Sequence, residues 1–401
     1  MIAFAIVMNK DGEMAMPAFS QDEYRARVSR LRKKMADRGI DALLVLEESN
    51  LNYLTGYAGY SDYVPQVALI FQDEEDPWLI MRELDTHGAA VESYLPESRI
   101  LSYAEKYIGS KELTAWQPIG EFVRDRTKST RIGVEISGKM LGLKGYAALS
   151  KSLGVAEFID ADGLVSTLKA IKSPAELTYM EQAGKIVDRA MKEAQGMIAV
   201  GVRECDVAAA VQHALTSGTP EIPGGPGPIS MPNMAIGSPA NQCHSKWGDG
   251  AYKMGCQTNF EMGAFRHRYV CAGSRSIFLG EPPARSRYVH EACRDGWLAA
   301  FEVLRPGVKS SDVERAFRRE FGPRGVRKES RIGYSIGLDW VDGGPNFMEG
   351  DETEILPNMT FHLLIGIWEK TDGYIFSETV RITENGAKSL ISLPREMLIN
   401  Y

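Results

Sequence analysis

The stretch that decides the fold is Gln257–Pro282, which reads QTNFEMGAFRHRYVCAGSRSIFLGEP. Two runs in which apolar and polar residues alternate, 258–262 and 269–279, flank a polar turn at 266–268. Such alternation predicts a β-hairpin with one face in a hydrophobic core. Glu261 lies mid-strand between two apolar neighbours, where a carboxylate is costly to bury without a compensating partner or function. The hairpin therefore predicts both a central sheet and a candidate site on it.

The size and composition of the chain indicate a soluble globular protein with two domains. Its 401 residues exceed one ordinary core, and 44% of them are hydrophobic and 25% charged. A net charge of −7 argues against nucleic acid or an anionic membrane as the main partner. The apolar run Ile2–Met8 is too short for a membrane span and lacks the basic region that begins a signal peptide.

The cysteines indicate a reducing compartment. They are odd in number and have no CxxC spacing: Cys205, Cys243, Cys256, Cys271 and Cys293. This pattern predicts free thiols in a cytoplasmic protein, and neither a disulfide framework nor a zinc site.

Strands and helices alternate in the first part of the chain. Ser20–Glu23 has the spacing of a capping box and predicts the start of an amphipathic helix. We interpret Ser49–Tyr57 (SNLNYLTGY) as a loop after a buried strand. The alternation predicts an α/β domain over residues 1–165 and a second domain over residues 166–401. The pair Ser173-Pro174 predicts the N-cap of a long helix at the start of that second domain.

A weak internal repeat marks the second domain. Residues 201–207 read GVRECDV and residues 307–313 read GVKSSDV, each after a long helical stretch and before a shorter one. Two such units beside strands suggest a pseudo-twofold α+β domain. Between the first unit and the hairpin lies Ser217–Ala240, in which eleven of 24 residues are Gly or Pro. Loops of this kind are usually functional or mobile.

Several motifs together resemble the pita-bread superfamily, which includes aminopeptidase P, prolidase, methionine aminopeptidase and creatinase. They are SNLNYLTGY (49–57), IKSPAEL (171–177), the hairpin motif FEMGA…SRSIFLGEP, NMTF (358–361) and ETVRITENG (378–386). The resemblance implies an α+β pita-bread domain with a pseudo-twofold repeat. It also implies that a smaller creatinase-type α/β domain precedes it.

The peptidases of this superfamily hold two metal ions with Asp, Asp, His, Glu and Glu. The matching positions here are Glu261, Ala272, Val341, Leu364 and Ser377. Alanine, valine and leucine offer no ligand to a divalent ion, and one carboxylate cannot hold two metals. We therefore expect no metal, no other cofactor and no metallopeptidase activity.

Within the superfamily, the chain is most similar to the metal-free branch that contains ectoine hydrolase. This likeness rests on the hairpin, on SRIGYSIGLDW (330–340) with tyrosine in place of the peptidase histidine, and on MTFHLLIGIW (359–368). It implies a C–N hydrolase that opens ectoine or hydroxyectoine to N-acetyl-diaminobutyrate. One alternative is a creatine-like amidinohydrolase, although Pro65 stands where creatinase carries an arginine. The other is a binding module without peptidase activity.

The resemblance also implies roles for individual residues. Glu261 holds the amidinium and acts at its carbon as nucleophile or base, unless it merely pairs with a core arginine such as Arg275. His244 matches the catalytic histidine of creatinase and can exchange protons near neutral pH. Retention of both residues argues against a pure binding module.

Further residues are candidates for substrate contact. Tyr63 falls at an aromatic position that covers the neighbouring subunit's active site, which implies a homodimer with the active site near the subunit interface. Guanidinium forks suit a substrate carboxylate, and aromatic rings can wall a cation. The remaining candidates are Tyr334, Arg275, Arg331, Glu378, Trp247 and Trp340.

Overall fold

A computed structural model describes residues 17–154, 158–227, 233–236, 240–370 and 373–401. The apolar run Ile2–Met8 and parts of the Gly/Pro-rich loop lie outside these residues. The chain divides into two compact units, Met1–Leu168 and Lys169–Tyr401, and the boundary predicted from the sequence follows residue 165. None of the helices in the described part of the chain combines the length and apolar character that a bilayer crossing requires.

The first unit has α/β architecture. Its strands are β1 (Ala42–Val45), β2 (Val67–Phe71), β3 (Trp78–Arg82), β4 (Ile100–Tyr103), β5 (Ile132–Val134) and β6 (Ile159–Asp160). Its helices are α1 (Gln21–Asp37), α2 (Glu48–Thr55), α3 (Glu83–Glu92), α4 (Trp116–Arg126), α5 (Gly142–Leu153) and α6 (Ser166–Lys169), within which the division between the units falls. The strands form one mixed sheet in the order β4-β3-β2-β1-β5-β6.

Local sequence patterns predicted helix α1 of this unit but did not predict helix α2. The predicted helix start is confirmed, because Ser20 is the N-cap of α1 and its side chain accepts a hydrogen bond from the Glu23 backbone N–H. The loop predicted for Ser49–Tyr57 is wrong, since most of it forms α2 and the chain turns at Gly56 with a φ of 84°. The start of α2 is fixed from outside by Glu135, whose carboxylate accepts hydrogen bonds from the backbone N–H groups of Leu46 and Glu47.

The second unit repeats one series of elements. Its helices are α7 (Pro174–Met197), α8 (Glu204–Ser217), α9 (Ala284–Val303) and α10 (Ser310–Phe321). Its strands are β7 (Asn233–Ile236), β8 (Gln257–Arg266), β9 (Tyr269–Leu279), β10 (Gly333–Ser335), β11 (Thr360–Trp368), β12 (Gly373–Thr383), β13 (Gly386–Ser389) and β14 (Leu398–Asn400). Two helices followed by three strands occur twice in succession, as the pseudo-twofold repeat predicts. Ser173 caps α7 in a complete capping box, which confirms the second predicted helix start.

One sheet connects the two repeats. The order β10-β11-β12-β9-β8-β7 places β9 and β12, one from each repeat, side by side at its centre. The predicted hairpin is β8 and β9, and its turn contains His267 and Arg268 at φ values of 46° and 69°. Positive φ at both central residues matches the right-handed twist of the flanking strands.

The two faces of this sheet have different chemistry because side chains alternate along each strand. Leu363, Ile365 and Phe376 lie on one face and pack in a core with Trp297 of α9. The intervening residues, including Leu364 and Ser377, belong to the opposite face. That opposite face carries the candidate site.

Candidate active site

A row of paired residues crosses the sheet on the face opposite the helical core. Starting on β7, each residue of the row is the cross-strand partner of the next: Asn233, Glu261, Ser274, Ser377 and Leu364. Residues directly opposite each other in antiparallel strands place their side chains on the same face. The register therefore puts Glu261 second in a row of four polar residues that ends in the apolar Leu364.

A cavity of about 610 Å³ lies over this row. Five of the residues selected from the sequence line it: His244, Glu261, Arg331, Tyr334 and Trp340. The other residues in its wall are Asn233, Cys243, Lys246, Met262, Gly263, Lys328, Ser330, Val341, Leu364, Gly366, Trp368 and Ile375. The cavity is thus a mixed polar and apolar pocket with one carboxylate and several cations, as expected for a small-molecule site.

Glu261 is partly exposed to this cavity and otherwise enclosed by protein. Asn233 Nδ2 donates a hydrogen bond to Glu261 Oε2 at 3.2 Å, and Lys246 Nζ donates to Asn233 Oδ1 at 2.8 Å. Burial raises the pKa of Glu261, whereas the Asn233 hydrogen bond and the charges of His244 and Lys246 oppose that rise. Among the described residues, Oε1 of Glu261 has no hydrogen-bond donor. This oxygen is the one best placed to meet a cationic ligand.

His244 is an exposed residue between β7 and β8 in the chain. Its Nδ1 is 3.4 Å from the Sγ of Cys243, and both residues line the cavity. The positive charge of a protonated His244 lowers the pKa of Glu261. An imidazole in this position can exchange a proton with a ligand that Glu261 holds.

Tyr334 begins a chain of buried hydrogen bonds beneath the cavity. Its hydroxyl accepts from Trp340 Nε1 at 2.9 Å and lies 3.1 Å from His362 Nδ1. His362 Nε2 is 2.7 Å from Ser377 Oγ, which donates to Ser274 Oγ at 2.7 Å. Because Ser377 gives its one hydroxyl proton to Ser274, it accepts from Nε2–H of His362, which leaves Nδ1 to accept from the Tyr334 hydroxyl. Burial lowers the pKa of His362 to about 3, so this imidazole is neutral.

Two of the predicted substrate contacts need correction. Arg275 and Glu378 follow Ser274 and Ser377 in their strands, so their side chains lie on the helical face of the sheet, away from the cavity. Arg275 Nη2 donates to Glu378 Oε1 at 3.0 Å, and Arg395 donates to both oxygens of the same carboxylate. These residues form an ion cluster in which Arg275 and Glu378 are buried and Arg395 is partly exposed, and Arg275 pairs with Glu378 instead of Glu261.

Two other candidates are not among the described residues of the cavity wall. Trp247 is half-buried and is not among the described residues that line the cavity. Tyr63 belongs to the first unit, is 64% exposed, and accepts a hydrogen bond from Arg82 Nη1 at 2.6 Å. An exposed tyrosine fixed by an arginine is compatible with the predicted contact to a second subunit.

Sequence reasoning missed Asn233, Lys246 and Lys328. Asn233 lies in the Gly/Pro-rich segment, where no strand is predicted, and only its pairing with Glu261 reveals its role. Lys246 follows His244 by two residues in the same polar stretch, so its position near the site could have been predicted from the sequence. Lys328 precedes the SRIGYSIGLDW motif, and nothing in its local sequence distinguishes it from a surface lysine.

The side chains that line the cavity do not provide the ligands with which the peptidases hold their two metal ions. Val341 and Leu364, which match two of their ligand positions, line the cavity as apolar residues. Ala272 pairs with Gly263 on β8 and offers no donor atom either. Among the described residues, no group of three His, Cys, Asp or Glu side chains is arranged to hold a metal ion. Glu261 is the one carboxylate in the described cavity wall.

Family models match most of the chain. Residues 178–384 match the family described as Metallopeptidase family M24, and residues 27–171 match the Creatinase/Prolidase N-terminal domain. The chain therefore belongs to the M24 family and carries the creatinase/prolidase type of N-terminal domain. Family membership places it among hydrolases.

Individual relatives are similar over nearly their whole length. An uncharacterized hydrolase/peptidase, y4tM, from Sinorhizobium fredii is 36% identical over 95% of this chain and 98% of that protein. Ectoine hydrolase from Halomonas elongata is 31% identical, over 96% of this chain and 99% of its own. The prolidase structure from Pyrococcus horikoshii aligns with a TM-score of 0.78 at 24% identity, covering 93% of this chain and 100% of that one. The predicted two-domain pita-bread fold is confirmed.

Proposed function

We propose that the protein is a metal-independent hydrolase that opens a C–N bond in a small cyclic amidine, with ectoine or hydroxyectoine as substrate. The observation that carries this proposal is Glu261, an enclosed carboxylate in a cavity where the apolar Val341 and Leu364 stand at two of the peptidase metal-ligand positions. A lone carboxylate in such a place needs a positive partner. An amidinium supplies that charge in a planar, delocalised form.

The residues of the cavity support each part of the reaction. Water adds to the amidine carbon, the C–N bond breaks, and the leaving nitrogen takes up a proton. Glu261 binds the amidinium and acts at its carbon, either as nucleophile or as the base that deprotonates water. His244 exchanges the proton with nitrogen. Trp340, whose indole N–H is fixed by Tyr334, offers an aromatic wall for the cation.

The relatives support a hydrolase but differ in substrate. Ectoine hydrolase is 31% identical, whereas the Xaa-Pro dipeptidase from Pyrococcus furiosus is 26% identical over 93% of this chain. Of the five positions that hold metal in the peptidases, four are Ala272, Val341, Leu364 and Ser377 here. The donor chemistry therefore favours the amidine reaction over peptide hydrolysis.

Incubation of the purified protein with four compounds tests the proposal. Ectoine, hydroxyectoine, creatine and an Xaa-Pro dipeptide are each supplied with a chelator or with added Mn²⁺, and products are followed by mass spectrometry. We expect ectoine or hydroxyectoine to gain the mass of one water at equal rates under both conditions. Release of proline that requires added metal contradicts the proposal, and release of urea from creatine reassigns the substrate.

A further inference from the structure

Lys328 is a cation in the cavity wall that has no acidic partner among the described residues. Lys328 lies between α10 and β10 and is 7% exposed. Its Nζ donates hydrogen bonds to Ser330 Oγ at 2.8 Å and to the carbonyl oxygen of Gly366 at 3.3 Å. All three residues line the cavity. Among the described residues, no carboxylate pairs with this ammonium group.

The surroundings of Lys328 make its charge costly. An ammonium group has three N–H donors, and two of them are used within the protein. A buried cation without a counter-ion loses hydration that two neutral acceptors replace only in part. Burial lowers the pKa of Lys328 to about 8, with Cys293 of α9 opposing the shift and Arg318 of α10 adding to it. The group is therefore largely charged at neutral pH, and the part of the chain that the structure describes offers it no anion.

Lys328 and Glu261 occupy opposite flanks of the cavity. Lys328 is bonded to β11 through Gly366, and Glu261 lies on β8, with β12 and β9 between these strands. Three strand spacings separate β11 from β8, roughly 14 Å between backbones. Side chains from both flanks line the one cavity. A ligand that touches both must carry a cation at one end and an anion at the other.

We infer that Lys328 forms an anion subsite that binds the carboxylate of the substrate, on the flank of the cavity opposite Glu261. The inference rests on the proposed function and narrows its substrate class to small zwitterions with a delocalised cation and a carboxylate. Arg331 adds a second positive charge to this flank, and its guanidinium lies 4.4 Å from the ring centroid of Tyr334. The carboxylate completes the hydrogen bonding of Lys328 and supplies its counter-charge.

Lys328 also has a structural task that the test must separate from this one. Its ammonium group donates a hydrogen bond to the carbonyl oxygen of Gly366 in β11. Arg318 in turn donates to the backbone carbonyl oxygen of Lys328 and holds that part of the backbone in place. Lys328→Gln keeps a neutral donor for Gly366, whereas Lys328→Met removes the donor altogether. Lys253→Met, at an exposed lysine outside the described cavity wall, controls for loss of a positive charge.

The decisive experiment compares two substrates across these variants. The first is the cyclic amidine with its carboxylate, and the second is the same amidine without it. For the carboxylate compound, we expect Lys328→Gln and Lys328→Met to lose on the order of 10- to 100-fold in kcat/KM, mainly through KM, since a charge-assisted hydrogen bond is lost. For the second compound, both variants and Lys253→Met stay within about threefold of wild type. Equal losses on both compounds, or wild-type behaviour of Lys328→Gln, overturn the subsite.

A binding measurement keeps this inference separate from the proposed function. If the wild-type protein turns over neither compound, the proposed function fails, and the subsite is tested by titrating acetate at constant ionic strength. Trp340 and Trp368 line the cavity, so their fluorescence reports its occupation. We expect acetate to change the fluorescence of wild type and of Lys253→Met, and to leave both Lys328 variants unchanged. An identical response in all four proteins, or none in wild type, refutes the anion subsite.

Discussion

Glu261 is subject to opposing influences that set its charge. Burial favours the protonated acid, whereas the hydrogen bond from Asn233 and the positive charges of His244 and Lys246 favour the carboxylate. The carboxylate is the form that attracts an amidinium, so turnover must fall as the pH drops through the pKa of Glu261. A bound substrate cation stabilises the carboxylate further. Substitution of a residue that contributes one of these influences should therefore shift the pKa of Glu261 in a known direction.

Lys246→Met tests this balance through the pH profile. Removing the lysine charge disfavours the carboxylate, so the pKa of Glu261 rises and the acid limb of kcat/KM against pH moves to higher pH. Lys253→Met, which removes an exposed charge elsewhere, serves as the control and leaves the limb in place. An acid limb that stays fixed or moves to lower pH in Lys246→Met shows that another group controls it.

Strand alternation decides which polar residues reach the site. Ser377 and Glu378 are neighbours on β12, yet Ser377 joins the hydrogen-bond chain from Tyr334 while Glu378 binds Arg275 and Arg395 on the other face. The sequence motif places both residues near the site, and only the strand register separates them. The resemblance therefore identified the right segment but not the right face.

Glu378→Ala has its main effect on stability. It leaves the guanidinium of Arg275, 2% exposed, without its carboxylate partner, and the free energy of unfolding should fall by about 3–5 kcal/mol. Glu384→Ala, at an exposed position just beyond β12, should change it by less than about 0.5 kcal/mol. Chemical denaturation measures both values, and KM of the folded Glu378→Ala protein should equal that of wild type. A large rise in KM without loss of stability would show that Glu378 contacts the substrate after all.

Two secondary-structure elements, helix α2 and strand β7, were not predicted from the sequence. The start of α2 depends on Glu135, which lies far along the chain and binds Asn50 at 2.6 Å as well as two backbone N–H groups. The strand β7 depends on pairing with β8 within a segment rich in Gly and Pro. Both elements are stabilised by distant partners, which local patterns do not record. The hairpin and the two helix caps were predicted correctly because their signals are local.

At the scale of the whole molecule, the resemblance predicted the fold and the family, since the motifs span both domains. It also selected Glu261, His244, Arg331, Tyr334 and Trp340, which the structure brings to one cavity. Asn233, Lys246 and Lys328 were missed because their significance comes from burial and pairing. Lys328 looks like any charged surface residue until its 7% exposure is known.

We propose that the molecule works as a homodimer in which Tyr63 of one chain closes the cavity of the other. Tyr63→Ala should raise KM about tenfold or more without changing the mass of the dimer, because one aromatic contact to substrate is lost. Tyr60→Ala, at a neighbouring tyrosine that is 57% exposed, is the matched control and should leave KM unchanged. Light scattering gives the mass and steady-state kinetics give KM. A monomer at micromolar concentration, or an unchanged KM in Tyr63→Ala, contradicts the arrangement.

We propose that the carboxylate of Glu261 carries out C–N hydrolysis without a metal. Turnover of ectoine by wild type and Glu261→Gln, each with and without a chelator, tests it most directly, with Glu281→Gln at an exposed position as the control. We predict that the chelator has no effect on wild type. Glu261→Gln should lose on the order of 10³-fold or more in turnover while remaining folded, because the amide has neither the charge nor the nucleophilic oxygen. Near-normal turnover by Glu261→Gln, or a wild-type activity that the chelator abolishes, would contradict the account.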